Sequence, residues 1–398
     1  MLDNFIPYST QSINDDDKQA ILDALCSTHL TQGKYTQQFE SNIATYIDIK
    51  HAISFNSATS ALYAAFYAIK EYIISGAYKM DLRLQNAKNM MQAMDNKTMS
   101  IITTSISFVA TTNMMLANNI VPIFADIDSN GNLSLSNIES LLRDDTIAIC
   151  SVDYAGNSVN MRAFQDFAKK HNLLFISDSS HAFGASYNGE MVGGIADMSI
   201  FSFHAVKPLT TCEGGALVCN NDFFANIARL VCSHGIIKHT PYNHDCITLG
   251  FNFRLNEVSA NLGISQLKRL ESFLAKRKEI ANFYDNYFHD NPYCKTLQIP
   301  QNTKSTYHLY PLFLQSELAC KKEAIIDSLI KQNIGVQVHY KPIYNFQAYQ
   351  YLKSPILPNA ESFYKTELSI PCHQNMTLEQ AQLVANCIMQ TLEFYAKK

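Results

Sequence analysis

The sequence predicts an α/β protein: a sheet joined by crossover helices, followed by a second, smaller C-terminal domain. Three observations predict it. Strand-like apolar segments alternate with helix-patterned ones through most of the N-terminal part. Near Leu255 that alternation gives way to one long helical stretch. And the 398 residues are more than a single compact core usually serves.

Taken in order, HAISF (51–55) reads as a buried strand, and NSATSALYAAFYAIKEYI after it carries apolar residues at helical spacing. Ala77 to Lys97, polar and methionine-rich, reads as an inserted helical hairpin or surface loop. Strand-like segments follow at SIITTSIS (100–107), VPIFADID (121–128), TIAICSVDY (146–154) and LLFISDSS (173–180). MSIFSFH (198–204) and GALVCN (215–220) complete the set. NIESLLRD and MRAFQDFAKKHN are the helix candidates between them. From Leu255, LNEVSANLGISQLKRLESFLAKRKEIANFYDNYF reads as a helix bridging to the smaller domain. The expected division is therefore 1–254, including the N-terminal segment, and 255–398.

Composition narrows the function. Hydrophobic residues at 47% and charged ones at 17% describe a globular chain. A formal net charge of -4 argues against a nucleic-acid binder that works by counterion release. The opening MLDNFIPYSTQS carries acid and no long apolar core, so no signal peptide is expected. No apolar run reaches the length that spans a bilayer, so no membrane partner is expected. Ten scattered cysteines without a CxxC pair fit reduced thiols in a cytoplasm, with neither a disulfide framework nor a metal site.

Ligands of open α/β sheets sit outside the carboxyl ends of the strands. NSATSAL (56–62) follows a strand and opens a helix, so its N–H groups and hydroxyls can hold a phosphate. Ordinary capping by Ser57 or Thr59 fits as well. There is no GxGxxG and no P-loop pattern. Asp178 ends an otherwise apolar strand and needs a partner, either a helix N-terminus or a ligand cation. His181, three residues on, is ambiguous alone. In FSFHAVKPLTTCEGGALV (201–218), Lys207 stands between a strand and a glycine turn. Its stem can be buried with its head in water. Held at a strand end, its pKa can instead fall until it is a nucleophile toward an aldehyde. An anion site, a strand-end carboxylate and a strand-end amine are together what pyridoxal phosphate requires.

These motifs resemble the sugar-nucleotide aminotransferases of the DegT/DnrJ/EryC/StrS family, fold-type-I pyridoxal-phosphate enzymes. The likeness runs through LTQGKYTQQFE, NSATSAL, TTSISFVATTNMM, SVDYAG, ISDSSHAFGA, the lysine motif and GFNFRLNEVSANLGISQLK. It implies a large domain with a mostly parallel sheet between helices and a smaller C-terminal α+β domain. It also implies roles. Lys207 would bond the cofactor aldehyde, Asp178 would keep the pyridine nitrogen protonated, and His181 would lie near the ring. Phe108 would stack on the ring; Thr59, Ser60 and Ser202 would hold the phosphate. Asn252, in GFNFR, resembles a residue supplied by the neighbouring subunit, which implies a homodimer with shared sites. For the sugar nucleotide the matching stretches are Tyr8, Thr28–His29–Leu30–Thr31, Ala58 and Gln337–Val338–His339–Tyr340, with Ser202 and Asn252 beside them. YHLYPL (307–312) and VQVHYKPIY (336–344) resemble the subgroup that aminates a UDP-linked 4-keto sugar from L-glutamate, releasing 2-oxoglutarate, for pseudaminic acid synthesis. Two departures stand out: Cys212, where a small residue such as glycine is more usual, and the long Ala77–Lys97 connection. Other readings fit the same residues: a paralogue for another 4-keto sugar nucleotide (a UDP-bacillosamine precursor or a dTDP sugar), or a non-catalytic sugar-nucleotide sensor. Intact Lys207 and Asp178 weigh against the sensor.

Overall fold

The computed structural model describes residues 4–85 and 87–398. The first residues of the acidic N-terminal stretch, and Asn86 within the Ala77–Lys97 insertion, lie outside the described residues. Each of the seven strand-like segments becomes a strand of one sheet. These are β1 (His51–Phe55), β2 (Met99–Thr104), β3 (Ile120–Ala125), β4 (Thr146–Val152), β5 (Leu174–Asp178), β6 (Met198–Ser202) and β7 (Gly215–Cys219). Their order is β1-β7-β6-β5-β4-β2-β3. Only β7 runs against its neighbours; the other pairings are parallel.

Helices cover both faces, which is why these strands read as unbroken apolar runs. Leu174 and Ile176 of β5 enter a core with helices α3 (Ala58–Ile74) and α7 (Asp222–Cys232). Phe175, pointing the other way, meets α2 (Lys34–Ile47) and α6 (Met161–Lys170). Two expectations need correction here. NIESLLRD forms no α-helix: it holds a 3-10 turn at Glu139–Leu141, led in by a second, Leu135–Asn137, where the Ser134 side chain accepts from Ser136 N and draws the backbone into a tighter turn. The insertion is neither a hairpin nor a surface loop. It is a 3-10 turn (Ala77–Met80) and helix α4 (Lys88–Asn96), and Tyr78, Leu84, Ala87, Met90 and Ala93 are buried in the α3 core. Arg83, paired with Asp81 inside the insertion at 2.7 Å, pins it to Asp197 at 2.9 Å.

The long helix α8 (Glu257–Tyr287) starts where expected. Asn256 caps it, its side chain accepting from Ser259 N at 2.8 Å. The Glu257 carboxylate turns back to accept from the backbone N–H of Gly33, Tyr35 and Thr36, at 2.9, 2.8 and 3.1 Å. It thereby caps α2, whose own N-cap, Gly33, has no side chain to offer. Leu270 and Leu274 of α8 pack in the sheet core, whereas Ile280, Ala281 and Tyr284 pack in the C-terminal one. That second core holds the antiparallel sheet of β8 (Cys294–Thr296), β9 (Tyr310–Leu314) and β10 (Glu367–Ile370). Ile6, grouped with the large domain by sequence, also packs there and bridges to Ile334. A long-range pairing of this kind leaves no local pattern.

Candidate active site

The carboxyl edge of the sheet opens into a cavity of about 460 Å³, within the size range of small-ligand sites. Local structure explains what lines it. β1 ends at Phe55 and α3 begins at Ala58, so Ser57, Ala58 and Thr59 stand at the cavity on the helix N-terminus. β5 delivers Asp178, then Ser180 and His181; β6 delivers Ser202, His204 and the Lys207 turn. β7 leaves that turn through Gly214 and Gly215. At Gly215 a Cβ would come 2.4 Å from Ala58 N, so only glycine lets this strand lie against the helix N-terminus.

Lys207 is the amine of the site, half-buried in the cavity wall. Burial pulls its pKa down to about 7, with Asp178 opposing the shift and Arg277 adding to it. Its Nζ stands 3.3 Å from His308 Nε2. Two acids end neighbouring strands, and their partners separate their roles. Asp153, pushed up to about 6 by burial, spends its carboxylate on Ser177, Ser179 and Val159 N, at 3.0, 2.7 and 3.0 Å. It braces the turn. Asp178 faces the cavity, accepting from Thr111 Oγ1 at 2.6 Å and from Ser180 Oγ at 2.5 Å. His181 Nε2 lies 3.1 Å from Tyr340 Oη, and its Nδ1 is buried without a protein partner. Burial, then the nearby Lys207, holds its pKa well below the ordinary histidine range. Phe108 is 59% exposed at the cavity mouth, its ring tilted against Tyr340 with centroids 6.4 Å apart.

A buried arginine sets this geometry from behind. Arg277 of α8 is fully buried yet faces no carboxylate. It donates to the carbonyls of Cys372, Tyr307 and His308, at 2.8, 3.1 and 3.3 Å, and to Ser9 Oγ at 3.2 Å. Ser9 Oγ in turn donates to Val206 O at 2.9 Å, next to Lys207. The N-terminal segment is thus a strut behind the lysine turn, and it brings Tyr8 into the cavity.

The structure gathers Tyr8, Ala58, Thr59, Phe108, Asp178, His181, Ser202, Lys207, His339 and Tyr340 around one space. Ser60 does not line it; its hydroxyl is engaged by Asn56 Oδ1 at 2.6 Å and Ser57 Oγ at 2.9 Å. Ser57 takes its place. Thr28, His29, Leu30 and Thr31 are exposed and do not line the cavity; neither do Gln337, Val338 or Asn252. Asn252 is exposed beside β1, where its carbonyl is 3.4 Å from Asn56 Nδ2. Sequence reasoning missed Ser107, Ser180, His204, Glu213 and His308. All five lie inside motifs quoted above, Ser107 in TTSISFVATTNMM, Ser180 in ISDSSHAFGA, His204 and Glu213 in the lysine motif and His308 in YHLYPL, but nothing local marks them as facing the cavity.

The residues present fit pyridoxal phosphate: an amine with a depressed pKa, a cavity-facing carboxylate, a helix N-terminus and an orphaned buried imidazole nitrogen. Known proteins agree. A family model described as the DegT/DnrJ/EryC1/StrS aminotransferase family matches residues 11–389. The UDP-4-amino-4,6-dideoxy-N-acetyl-beta-L-altrosamine transaminase of Helicobacter pylori is 43% identical over 389 residues, 98% of each chain. The solved structure of Helicobacter pylori PseC, an aminotransferase involved in the biosynthesis of pseudoaminic acid, superposes with a TM-score of 0.89. It is 42% identical, with 98% of this chain and 100% of that one covered. A putative sugar aminotransferase of Streptococcus pneumoniae, Spr1654 in its PMP form, gives 0.84 at 25% identity, covering 99% of each chain.

Proposed function

The chain belongs to the DegT/DnrJ/EryC1/StrS aminotransferase family of pyridoxal-phosphate enzymes, and from that premise we propose a specific reaction for it. It moves the amino group of L-glutamate to C4 of a UDP-linked 4-keto-6-deoxy-N-acetylhexosamine. The product is UDP-4-amino-4,6-dideoxy-N-acetyl-β-L-altrosamine, a precursor of pseudaminic acid. The observation that carries the reading is the 43% identity, across 98% of both chains, to a transaminase named for that product.

Pyridoxal phosphate, when bound, supplies an aldehyde that takes up amines and a ring that draws electrons from the carbon being deprotonated. The residues do the rest. Asp178 holds a proton on the ring nitrogen, and the hydroxyl donors Thr111 and Ser180 keep that carboxylate pointed into the cavity. The α3 N-terminus, with Thr59 and Ser202, binds the phosphate; Phe108 and His181 flank the ring. Lys207 Nζ, as a free amine, would take the proton from the glutamate α-carbon and hand it to the cofactor carbon two bonds away. With water supplying the keto oxygen of the departing 2-oxoglutarate, the keto sugar would enter past Tyr8, His339 and Tyr340, and Lys207 would move the proton in the opposite direction. Thr28 to Thr31, Gln337 and Val338 belong to the outer part of the nucleotide site. The enzyme acts in the cytoplasm as a homodimer, and the chain divides near residue 255.

Incubation with L-glutamate and a panel of UDP- and dTDP-linked 4-keto sugars tests the substrate. The expected result is one dominant product, the β-L-altro 4-amino sugar. A faster reaction with a bacillosamine precursor or a dTDP sugar would transfer the assignment to another pathway.

The dimer has its own test. Asn252 lies outside its own cavity, yet an amide N–H there can serve a phosphate without adding charge. If it serves the partner's site, mixing inactive Lys207→Ala chains with impaired Asn252→Ala chains restores one good site per mixed dimer. Mixed samples no more active than the separate variants, with subunit exchange demonstrated, would rule out the shared site.

A further inference from the structure

His308 has no part in the chemistry derived so far. It is 3% exposed, and its Nε2 stands 3.3 Å from Lys207 Nζ. Its backbone is held by Arg277, which donates to the carbonyls of both Tyr307 and His308. Its other ring nitrogen, Nδ1, is buried with no hydrogen-bond partner among the described residues. The His181 ring leans on it with centroids 4.5 Å apart.

The orphaned nitrogen decides the tautomer. A neutral imidazole carries one N–H. On Nδ1 that N–H would be a buried donor without an acceptor, a rarer and costlier state than an unfilled acceptor. The proton therefore belongs on Nε2, facing Lys207. From there it can meet the lone pair of a neutral amine; an ammonium has no lone pair and would set N–H against N–H. We propose that His308 is a positioning residue for the transamination, donating from Nε2 to Lys207 Nζ and so favouring the free amine over the ammonium. This rests on the reading of Lys207 as the reacting amine.

The other groups around Lys207 set the balance. Asp178, from the end of β5, favours the ammonium; Arg277, from α8, disfavours it. His181 and His339 are held neutral by burial and by Lys207 itself, and burial keeps Tyr8 and Tyr340 protonated. His204 and Glu213 face each other across 3.7 Å at the rim. His308 is the only one of these within hydrogen-bond reach of Nζ among the described residues.

The experiment uses the full chain loaded with pyridoxamine phosphate, which leaves the Lys207 amine free. Trace acetylation with acetic anhydride across pH, read peptide by peptide by mass spectrometry, gives the midpoint of Lys207 without any turnover. His308→Leu leaves the site dry, so burial alone would hold the midpoint or lower it. Loss of the donor instead raises it by about half a pH unit or more, about a threefold loss of free amine at a fixed pH. His308→Gln, whose amide N–H reaches the place of Nε2, keeps the midpoint low. His308→Asn is too short to reach and replaces the leucine variant if that one does not fold. A midpoint unchanged or lowered in the donor-less variant, or raised equally by glutamine, overturns the proposal. A wild-type Lys207 that labels like a surface lysine overturns the underlying assignment, and needs no variant to show it.

Discussion

Lys207→Ala is expected to abolish turnover and the borohydride-trapped cofactor adduct together. Among the described residues Lys207 is the one lysine lining the cavity, and its pKa near 7 leaves much of it unprotonated at neutral pH. Sign matters here. Burial favours the neutral amine, so the reactive form is gained as pH rises through 7 and lost below it. On the proposed roles alanine removes both the cofactor anchor and the proton carrier, and among the described residues no other lysine lines the cavity: Lys341 lies outside it, over the Phe346 ring. The fold should survive, and cofactor should still bind through its phosphate at the α3 N-terminus. Digestion of the reduced wild type should yield the labelled peptide around Lys207. A label on a different lysine would end the assignment.

Asp178→Asn is expected to slow turnover by roughly a hundred- to ten-thousand-fold, the usual range for removing a positioned proton-handling group. The substitution keeps volume and one acceptor, so Thr111 or Ser180 retains its hydrogen bond and the strand end keeps its shape. What it removes is the charge proposed to hold a proton on the ring nitrogen. Stopped-flow absorbance of the half-reaction with L-glutamate separates this from a folding defect. A near-normal rate would reduce Asp178 to a brace like Asp153, whose oxygens are already taken by Ser177, Ser179 and Val159.

The strands were legible because they are covered on both faces and so written in continuous apolar residues. The lysine turn was legible because a charge between a strand and Gly214–Gly215 has few ordinary reasons to be there. What could not be read was whatever depends on two distant parts of the chain meeting. Ser57 and Ser60 are equally polar, and only the cap geometry shows which of them faces the cavity. The buried stripe of Tyr78, Leu84, Ala87, Met90 and Ala93 is interrupted by polar residues and looks like a surface until α3 covers it. His308 is 101 residues from Lys207 in sequence, and no local pattern pairs them.

The strut from the N-terminus also bears on how the protein is made. Synthesis runs from the N-terminus, and segments fold as their partners emerge. Ser9 has to wait for Arg277, and Ile6 for Ile334. Contacts this far apart in sequence are the slow ones to form. Ile6 and Ser9, made long before their partners, are therefore among the later residues to dock, so a nascent chain can complete its sheet while the lysine turn still lacks its backing.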